Sequence, residues 1–402
     1  MSLGSGKIAK CTIGGIDCTS VITELDLFES IYTHAASCRI VINDASNVYQ
    51  KANLQKGEVD IELSVGGDTG TIDCKFKSAE VKTGARKKDN FDVYTIMGVP
   101  SEFLKKFSEK KEVTKSYVDK PHSDTVKEIF QKYTEGSTTV KKDLNIEDTE
   151  GISAYYPKYD SPLVAISQIN KSVKNSKKPG APLLWQCLKT GYHCKSIESL
   201  KDEGSASTEL KYAAANIPNA DPKNQIIAYT NTSDDDSYLR NKLGTEKTAV
   251  EKVDASTGKL NKKDRDDNNK NAEPGKARYV KVSLTQGSGQ SQWRKRDNQT
   301  DQYGKTKNKD QEALATYPKA HNIENRVLTT QVYGDINYKV GDKIKLGFAA
   351  ASEDNVKDDK SGEYLITSVR SRWHKDDKDM RFYCILECRS ATQEPQGGVQ
   401  DG

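Results

Sequence analysis

No apolar run in this 402-residue chain approaches the roughly 18 residues that a membrane-crossing helix needs. Residues 1–7, MSLGSGK, hold no apolar stretch either, so no signal peptide is read there. A chain without a membrane anchor, made in the cytoplasm and soluble, is expected. An excess of one charge is also lacking. The 62 Lys and Arg stand against 58 Asp and Glu, a net +4, whereas nucleic-acid binders concentrate far more positive charge on one face. The short basic runs Lys105-Lys106, Lys177-Lys178 and Arg294-Lys295-Arg296 read as solvated surface. Proline is scarce, at 11 residues, and the chain is 34% hydrophobic and 30% charged, which is polar without being disordered throughout. This length predicts two to three domains with real cores.

Motifs that would carry chemistry are missing too. Eight cysteines make an even count, but there is no C-x-x-C and no disulfide framework. Cys384 and Cys388 fall four apart in an alternating strand, on one face and about 13 Å apart, too far to bond to each other. Cys11, Cys18, Cys38 and Cys74 read as small apolar fillers of predicted strands. All eight are expected to be reduced. Cys187, His193 and Cys194 lack a fourth ligand at zinc-like spacing. Gly4-Ser5-Gly6-Lys7 lacks the upstream glycine, the hydroxyl residue and the preceding strand of a phosphate loop. Asp234-Asp235-Asp236 and the acidic stretch 354–359 lack the alternation, glycine and closing glutamate of a calcium loop. His34, His122, His193, His321 and His374 have no triad partners beside them. No Asp or Glu stands out in an apolar setting that would raise its pKa. No enzyme, metal or cofactor is expected.

What the chain does have is one pattern of strands written twice. The first copy runs through 38–44 (CRIVIND), 57–63 (GEVDIEL) and a hairpin with strands at 76–81 and 91–97 and a charged tip at 82–90. The second runs through 330–335 (TQVYGD), 341–346 (GDKIKL) and a hairpin at 364–369 and 380–386, its tip at 370–379. Identity is low, so the repeat rests on order and alternation. Two copies of one unit in a chain double the symmetry of any ring it forms.

Residues 1–110 read as a first β-barrel of tube type. A run at 21–34 holds Ile22, Leu25, Leu27 and Ile31, with a change of alternation at Asp26 that marks a bulge. Val59, Ile61, Leu63 and Val65 alternate strictly, and a short helix at 101–107 leaves the barrel. Residues 111–223 read as an α/β insertion domain. Its first helix is capped by Ser123 or Asp124, turns Val126, Ile129, Phe130 and Tyr133 to one face and ends at Gly136. Ser161-Pro162 opens a second, with Leu163, Ile166, Ile169 and Val173 on its apolar face, and a hairpin turning at Thr190-Gly191 follows. The second barrel reads as 224–260 and 311–392, interrupted by a polar insertion at 261–310 that holds one strand at 279–284. Helices at 236–243 and 310–323 and a hairpin turning at Ser256-Thr257-Gly258 are predicted along it; 393–402 reads as a flexible tail. The expected fold class is α+β, mainly β, with two similar barrels and an α/β insertion domain between them.

This order resembles the baseplate hub protein of contractile-tailed bacteriophages, and the N-terminal hub part of the VgrG spike proteins of type VI secretion. The likeness rests on several stretches. Ser123-Asp124-Thr125-Val126-Lys127-Glu128-Ile129-Phe130 resembles the family's T-V-x-E-I-F helix. Ser161-Pro162-Leu163, Leu183-Leu184-Trp185-Gln186 and Thr190-Gly191-Tyr192 resemble its helix and hairpin. Asn224-Gln225-Ile226-Ile227-Ala228-Tyr229 and Asp236-Ser237-Tyr238-Leu239 resemble its re-entry into the second barrel. Val340-Gly341-Asp342-Lys343-Ile344, Ser361-Gly362-Glu363-Tyr364-Leu365-Ile366 and Val369-Arg370 resemble its closing strands. The chain leaves no room for the oligosaccharide-binding fold and β-helix of VgrG, which implies a spike on a separate polypeptide.

The resemblance implies a homotrimer whose six barrels make a pseudo-sixfold ring between the hexameric tail tube protein and the trimeric central spike protein. Tape-measure protein and baseplate wedge proteins are implied as further partners, with DNA only in transit. It implies a place in the virion's tail baseplate after assembly in the host cytoplasm, and a structural role: adapting threefold to sixfold symmetry and letting the genome pass once the spike leaves. The alternatives are the hub of a related contractile injection system, a tail-associated cell-wall-degrading enzyme and an adhesin. Candidate contacts to the tube or the neighbouring subunit are the hairpin tips, Arg86, Lys87, Lys88 and Asp89 in the first and Arg370, Arg372, Lys375 and Asp376 in the second. Their mixed charges suit a polar, register-setting contact.

Overall fold

Alternation in the N-terminal quarter builds a sheet with one apolar face. The computed structural model describes residues 4–44, 46–83, 92–104, 112–141, 143–149, 152–156, 161–171, 182–204, 206, 208–212, 224–233, 247–253, 260–266, 278–281, 326–348, 360–376 and 379–390. Strands β1 (Gly6–Ile13), β2 (Ile16–Asp17), β3 (Ile22–Ser30), β4 (Ser37–Asp44), β5 (Asp60–Gly67), β6 (Gly70–Thr83) and β7 (Asp92–Val99) pair antiparallel in the order β3-β4-β7-β6-β5-β1-β2. Leu25, Leu27, Ile40, Ile42, Ile61, Leu63, Val65, Phe76 and Ile96 are buried in a common core. The irregularity in β3 falls between Ile22 and Glu24, not at Asp26, which keeps its register opposite Arg39. The strand ends at Ser30, short of the expected residue 34, because the Ser30 hydroxyl and carbonyl accept the N–H groups of Tyr32 and Thr33 and turn the chain. Gly4 to Lys7 belong to this sheet: the Gly4 carbonyl accepts the Phe382 N–H at 2.7 Å.

The insertion packs two helices on short strands. After α1 (Val48–Lys51), Ser101–Phe103 form a 3-10 turn with Leu104 extended, and residues 105–107 of the helix expected over 101–107 lie outside the described residues. β8 (Tyr117–Pro121) leads into α2 (His122–Thr134), which starts directly after Pro121 without a side-chain cap. The expected cap at Ser123 is not formed; its N–H goes to the Thr149 hydroxyl at 3.0 Å. Val126, Ile129, Phe130 and Tyr133 are the buried face, and Gly136 follows at φ +77°. β9 (Leu144–Ile146), β10 (Ile152–Tyr155), α3 (Pro162–Lys171), β11 (Leu183–Cys187), β12 (Gly191–Lys195) and α4 (Ile197–Asp202) complete it. β10 pairs with β8, and β11-β12-β9 make a three-stranded sheet. Val126, Ile129, Phe130, Ile166, Ile169 and Tyr192 form a second core; Val173 lies outside the described residues.

The second half adds β13 (Glu209–Tyr212), β14 (Ile226–Ser233), β15 (Lys247–Val253), β16 (Leu260–Asp266), β17 (Arg278–Lys281), β18 (Arg326–Tyr333), β19 (Lys343–Phe348), β20 (Gly362–Asp376) and β21 (Asp379–Ser390). The hairpin β15–β16 forms as expected, with β17 added parallel to β15, but these three make a sheet of their own. The predicted helices at 236–243 and 310–323 and the tail lie outside the described residues. β20 runs on to Asp376 and pairs with β3, so the stretch expected as a loop at 370–379 is strand through Asp376 and again from Asp379. Both halves thereby belong to one 13-stranded sheet. Its ends curl back at single points, Ser5 bridging Arg381 and Lys211 bridging Gln225. Among the described residues no continuous ladder closes either half.

All eight cysteines are free and buried. Cys18 sits in the turn before Val21 rather than in a strand. Burial pushes the thiols of Cys18 and Cys187 up to about 11 and those of Cys38, Cys194, Cys384 and Cys388 to about 12. Thiolate is the reactive form, so native protein should give almost no titre with a thiol reagent and about eight thiols in denaturant. Two or more missing thiols after denaturation would mean disulfides and would contradict this fold.

Candidate functional site

One hairpin serves both halves of the chain. Near its base, Gly362 to Leu365 of β20 pair with β19, while beyond an irregularity at 366–368 the strand changes partner and Ser368 to His374 pair with β3. β21 does the same on its outer edge, pairing with β18 over Tyr383 to Arg389 and meeting the N-terminal residues at Arg381 and Phe382. Alternation sorts the side chains of this stretch. Val369, Ser371 and Trp373 point to the core, and Arg370, Arg372 and His374 to the other face. Trp373 lies flat on Phe382, with ring centroids 4.3 Å apart, and donates its indole N–H to the Gly66 carbonyl at 2.8 Å. Phe382 in turn lies on the backbone of Gly334, where a Cβ would come within 2.1 Å of the ring.

The outward face carries the strongest electrostatic feature of the sheet. Asp26 in β3 has no exposed surface, although it faces away from the core. Arg370 from β20 grips it with two parallel bonds, Nε to Oδ1 and Nη2 to Oδ2, both 3.0 Å. Arg39 from β4 adds Nη1 to Oδ2 at 2.8 Å and reaches Glu24 at 2.9 Å. Arg372 stands 3.9 Å from Asp26 and 3.5 Å from Glu24. The Arg370 guanidinium also covers the Phe28 ring at 5.2 Å. Planar guanidinium groups suit such forked contacts, which are stronger than neutral hydrogen bonds. Three arginines from two strands thus converge on one buried carboxylate and pin the hairpin to the first half.

Of the residues singled out from sequence, Arg370 and Arg372 are therefore ladder residues held by Asp26 and Glu24, not loop residues. Lys375 and Asp376 are exposed at the far end of β20. Arg86, Lys87, Lys88 and Asp89 lie outside the described residues. Two buried carboxylates were missed. Glu29 shares the core face of β3 with Leu25, Leu27 and Ile31, and burial pushes it up to about 7. The alternation 25, 27, 29, 31 was the signal that could have found it. Glu102 is fully buried and accepts hydrogen bonds from Ser137 at 2.6 Å, Thr139 at 2.8 Å and Tyr192 at 2.6 Å. These tie the exit of the first half to two parts of the insertion, the loop after α2 and β12. His193 stacks on Trp185 and meets the Thr190 hydroxyl at 2.7 Å; burial and Lys195 lower it to about 4. Among the described residues no three His, Cys, Asp or Glu side chains are placed to hold a metal ion.

No family model matches the sequence, and no curated protein matches it. Solved structures do. The tail protein from Neisseria meningitidis MC58 superposes with a TM-score of 0.56 at 12% identity, covering 96% of this chain and 96% of that one. The 43 kDa tail protein of prophage MuSo2 from Shewanella oneidensis gives 0.54 at 8% identity, covering 95% and 98%. A chain of the Francisella PdpA-VgrG complex gives 0.51 at 11% identity, covering 98% of this chain and 59% of that one. At such identities the shared property is the fold. The chain has the α+β, mainly β fold that it shares with these two tail proteins and with the chain of the PdpA-VgrG complex.

Proposed function

We propose that this chain is the structural hub of a contractile tail, or of a related contractile injection system. Three copies form a ring. Each copy contributes two curled halves of one sheet, read as tube-type barrels, so six units stand in near-sixfold array. One face of the ring meets the hexameric tail tube and the other holds the trimeric spike; the ring's centre gives passage to tape-measure protein and DNA once the spike departs. The working place is the baseplate of the virion, beside the wedge proteins.

The observation that carries this reading is the likeness to two tail proteins over nearly their whole length. The shared hairpin supports it, because it fixes the two halves of one copy at a constant angle, which a ring of alternating units needs. A role without catalysis fits the saturated surroundings of Asp26 and Glu102, whose oxygens are already engaged by the chain's own donors. Electron micrographs of purified protein, alone and with its spike, should show rings with a central hole and a mass three times 44.6 kDa. A monomer that persists at high concentration in the presence of spike would end the proposal, and release of peptidoglycan fragments by the pure chain would favour an enzyme instead.

A further inference from the structure

The insertion meets the main sheet along one short strand. β11 lies beside the turn 31–36 that joins β3 to β4, and three polar contacts seat it. The Leu184 carbonyl faces His34 Nδ1 at 3.1 Å, Gln186 Oε1 accepts the Ala36 N–H at 3.1 Å, and Glu29 Oε1 accepts the Leu188 N–H at 2.7 Å. Trp185, Cys187 and Leu188 meanwhile join the core of the sheet. Glu29 is thus enclosed between Leu27 of its own strand, Ile31 just past the strand's end and the end of β11. No cation forms an ion pair with it among the described residues. The titratable groups that face it are thiols: Cys187 beyond β11's last bond, Cys74 from β6 and Cys384 from β21, each pushed up by burial and so neutral. His34 stands in the same interface, its Nε2 3.3 Å from the Ser167 hydroxyl of α3.

We propose that seating of the insertion on the main sheet is proton-linked, with Glu29 as the group that takes up the proton. With β11 in place, the carboxyl has the Leu188 N–H and the Cys187 thiol as donors and otherwise apolar walls, and burial outweighs both to favour the neutral acid. With β11 lifted away, the walls supplied by Cys187 and Leu188 are gone and water solvates the carboxylate. The seated form holds its proton up to about 7, against 4.5 for a solvated glutamate. Seating is therefore strongest below the lower value, weakens as pH rises through this window and levels off above it. The whole change amounts to at most about 300-fold in the seating equilibrium. This linkage belongs to the interface within one chain and does not rest on the assembly proposed above.

Hydrogen exchange on the full-length protein tests it, at about pH 5 and about pH 8, corrected for the intrinsic pH dependence of exchange. In the wild type, protection of the Leu188 amide, which Glu29 accepts, should fall by up to about 70-fold between the two, relative to β4 and β7. Glu29→Gln keeps an acceptor for the Leu188 N–H but does not titrate, and its protection should stay level. A level wild type overturns the proposal. So does an equal fall in Glu29→Gln. Should Glu29→Gln not fold, infrared spectra of the wild type decide: a buried protonated carboxyl is expected at pH 5 and lost near pH 7, and its absence at pH 5 refutes the idea.

Discussion

Asp26→Ala should lower the unfolding free energy by about 3 kcal/mol, the lower end of the range for breaking a buried ion pair. It belongs there because the arginine side chains left behind, 30–35% exposed, can turn to water while Asp26 itself has no exposed surface. Removing Arg370 alone leaves Arg39 in place, so Arg370→Ala should cost less, about 1.5 kcal/mol. The two losses should not add: in the Asp26→Ala background Arg370→Ala should do little. Urea unfolding of the four proteins gives the coupling directly. High salt should leave it nearly unchanged, unlike the exposed Lys10–Glu62–Lys75 cluster, which solvent ions screen. Additive losses would mean that the two side chains stabilise the fold separately.

Trp373→Ala should be at least as damaging, about 4 kcal/mol, because it removes a fully buried indole and leaves a cavity against Phe382. Trp373→Phe keeps the stack and loses the bond to the Gly66 carbonyl, which predicts a loss of about 1–3 kcal/mol. Gly334→Ala should match the alanine variant without touching the indole, since its methyl would displace the Phe382 ring. Thermal melts followed by calorimetry rank the three. A Trp373→Ala protein that melts with the wild type would show that the far part of the hairpin contributes nothing to the core.

Much of the fold was legible, and the failures have physical causes. Alternation located β4, β5, β6, β7, β18 and β19 because each sets apolar residues against solvent at a period of two. The same period runs through Val369, Ser371 and Trp373, yet the charges at Arg370 and Arg372 made the stretch read as a loop. Those charges are answered by Glu24 and Asp26, more than 340 positions earlier in the chain, and no local pattern reports such a partner. Asp26 misled in the same way: an acidic residue between Leu25 and Leu27 looks like a break, but it is a normal ladder position whose charge is covered from β4 and β20. Glu29 was passed over although it keeps the core alternation, because a lone carboxylate among apolar neighbours is improbable without a donor, and its donor is a backbone N–H in another unit. The hairpin tips singled out as contacts rested on like charge and on lengths within one residue of each other. In the second, β20 extends to Asp376, and residues 84–90 of the first lie outside the described residues.

The shared hairpin also sets an order of events during synthesis. The Ser30 hydroxyl finds its partner at Ser368, 338 positions later. Until the ribosome has passed that point, the outer edge of β3 has no neighbour and presents unpaired N–H and C=O groups to any strand it meets. Contacts this distant in sequence form late and slowly, and a chain waiting with an open edge is exposed to self-association. The N-terminal sheet is therefore nascent until almost the last strand has emerged, and a fragment ending before β20 should aggregate where the whole chain does not.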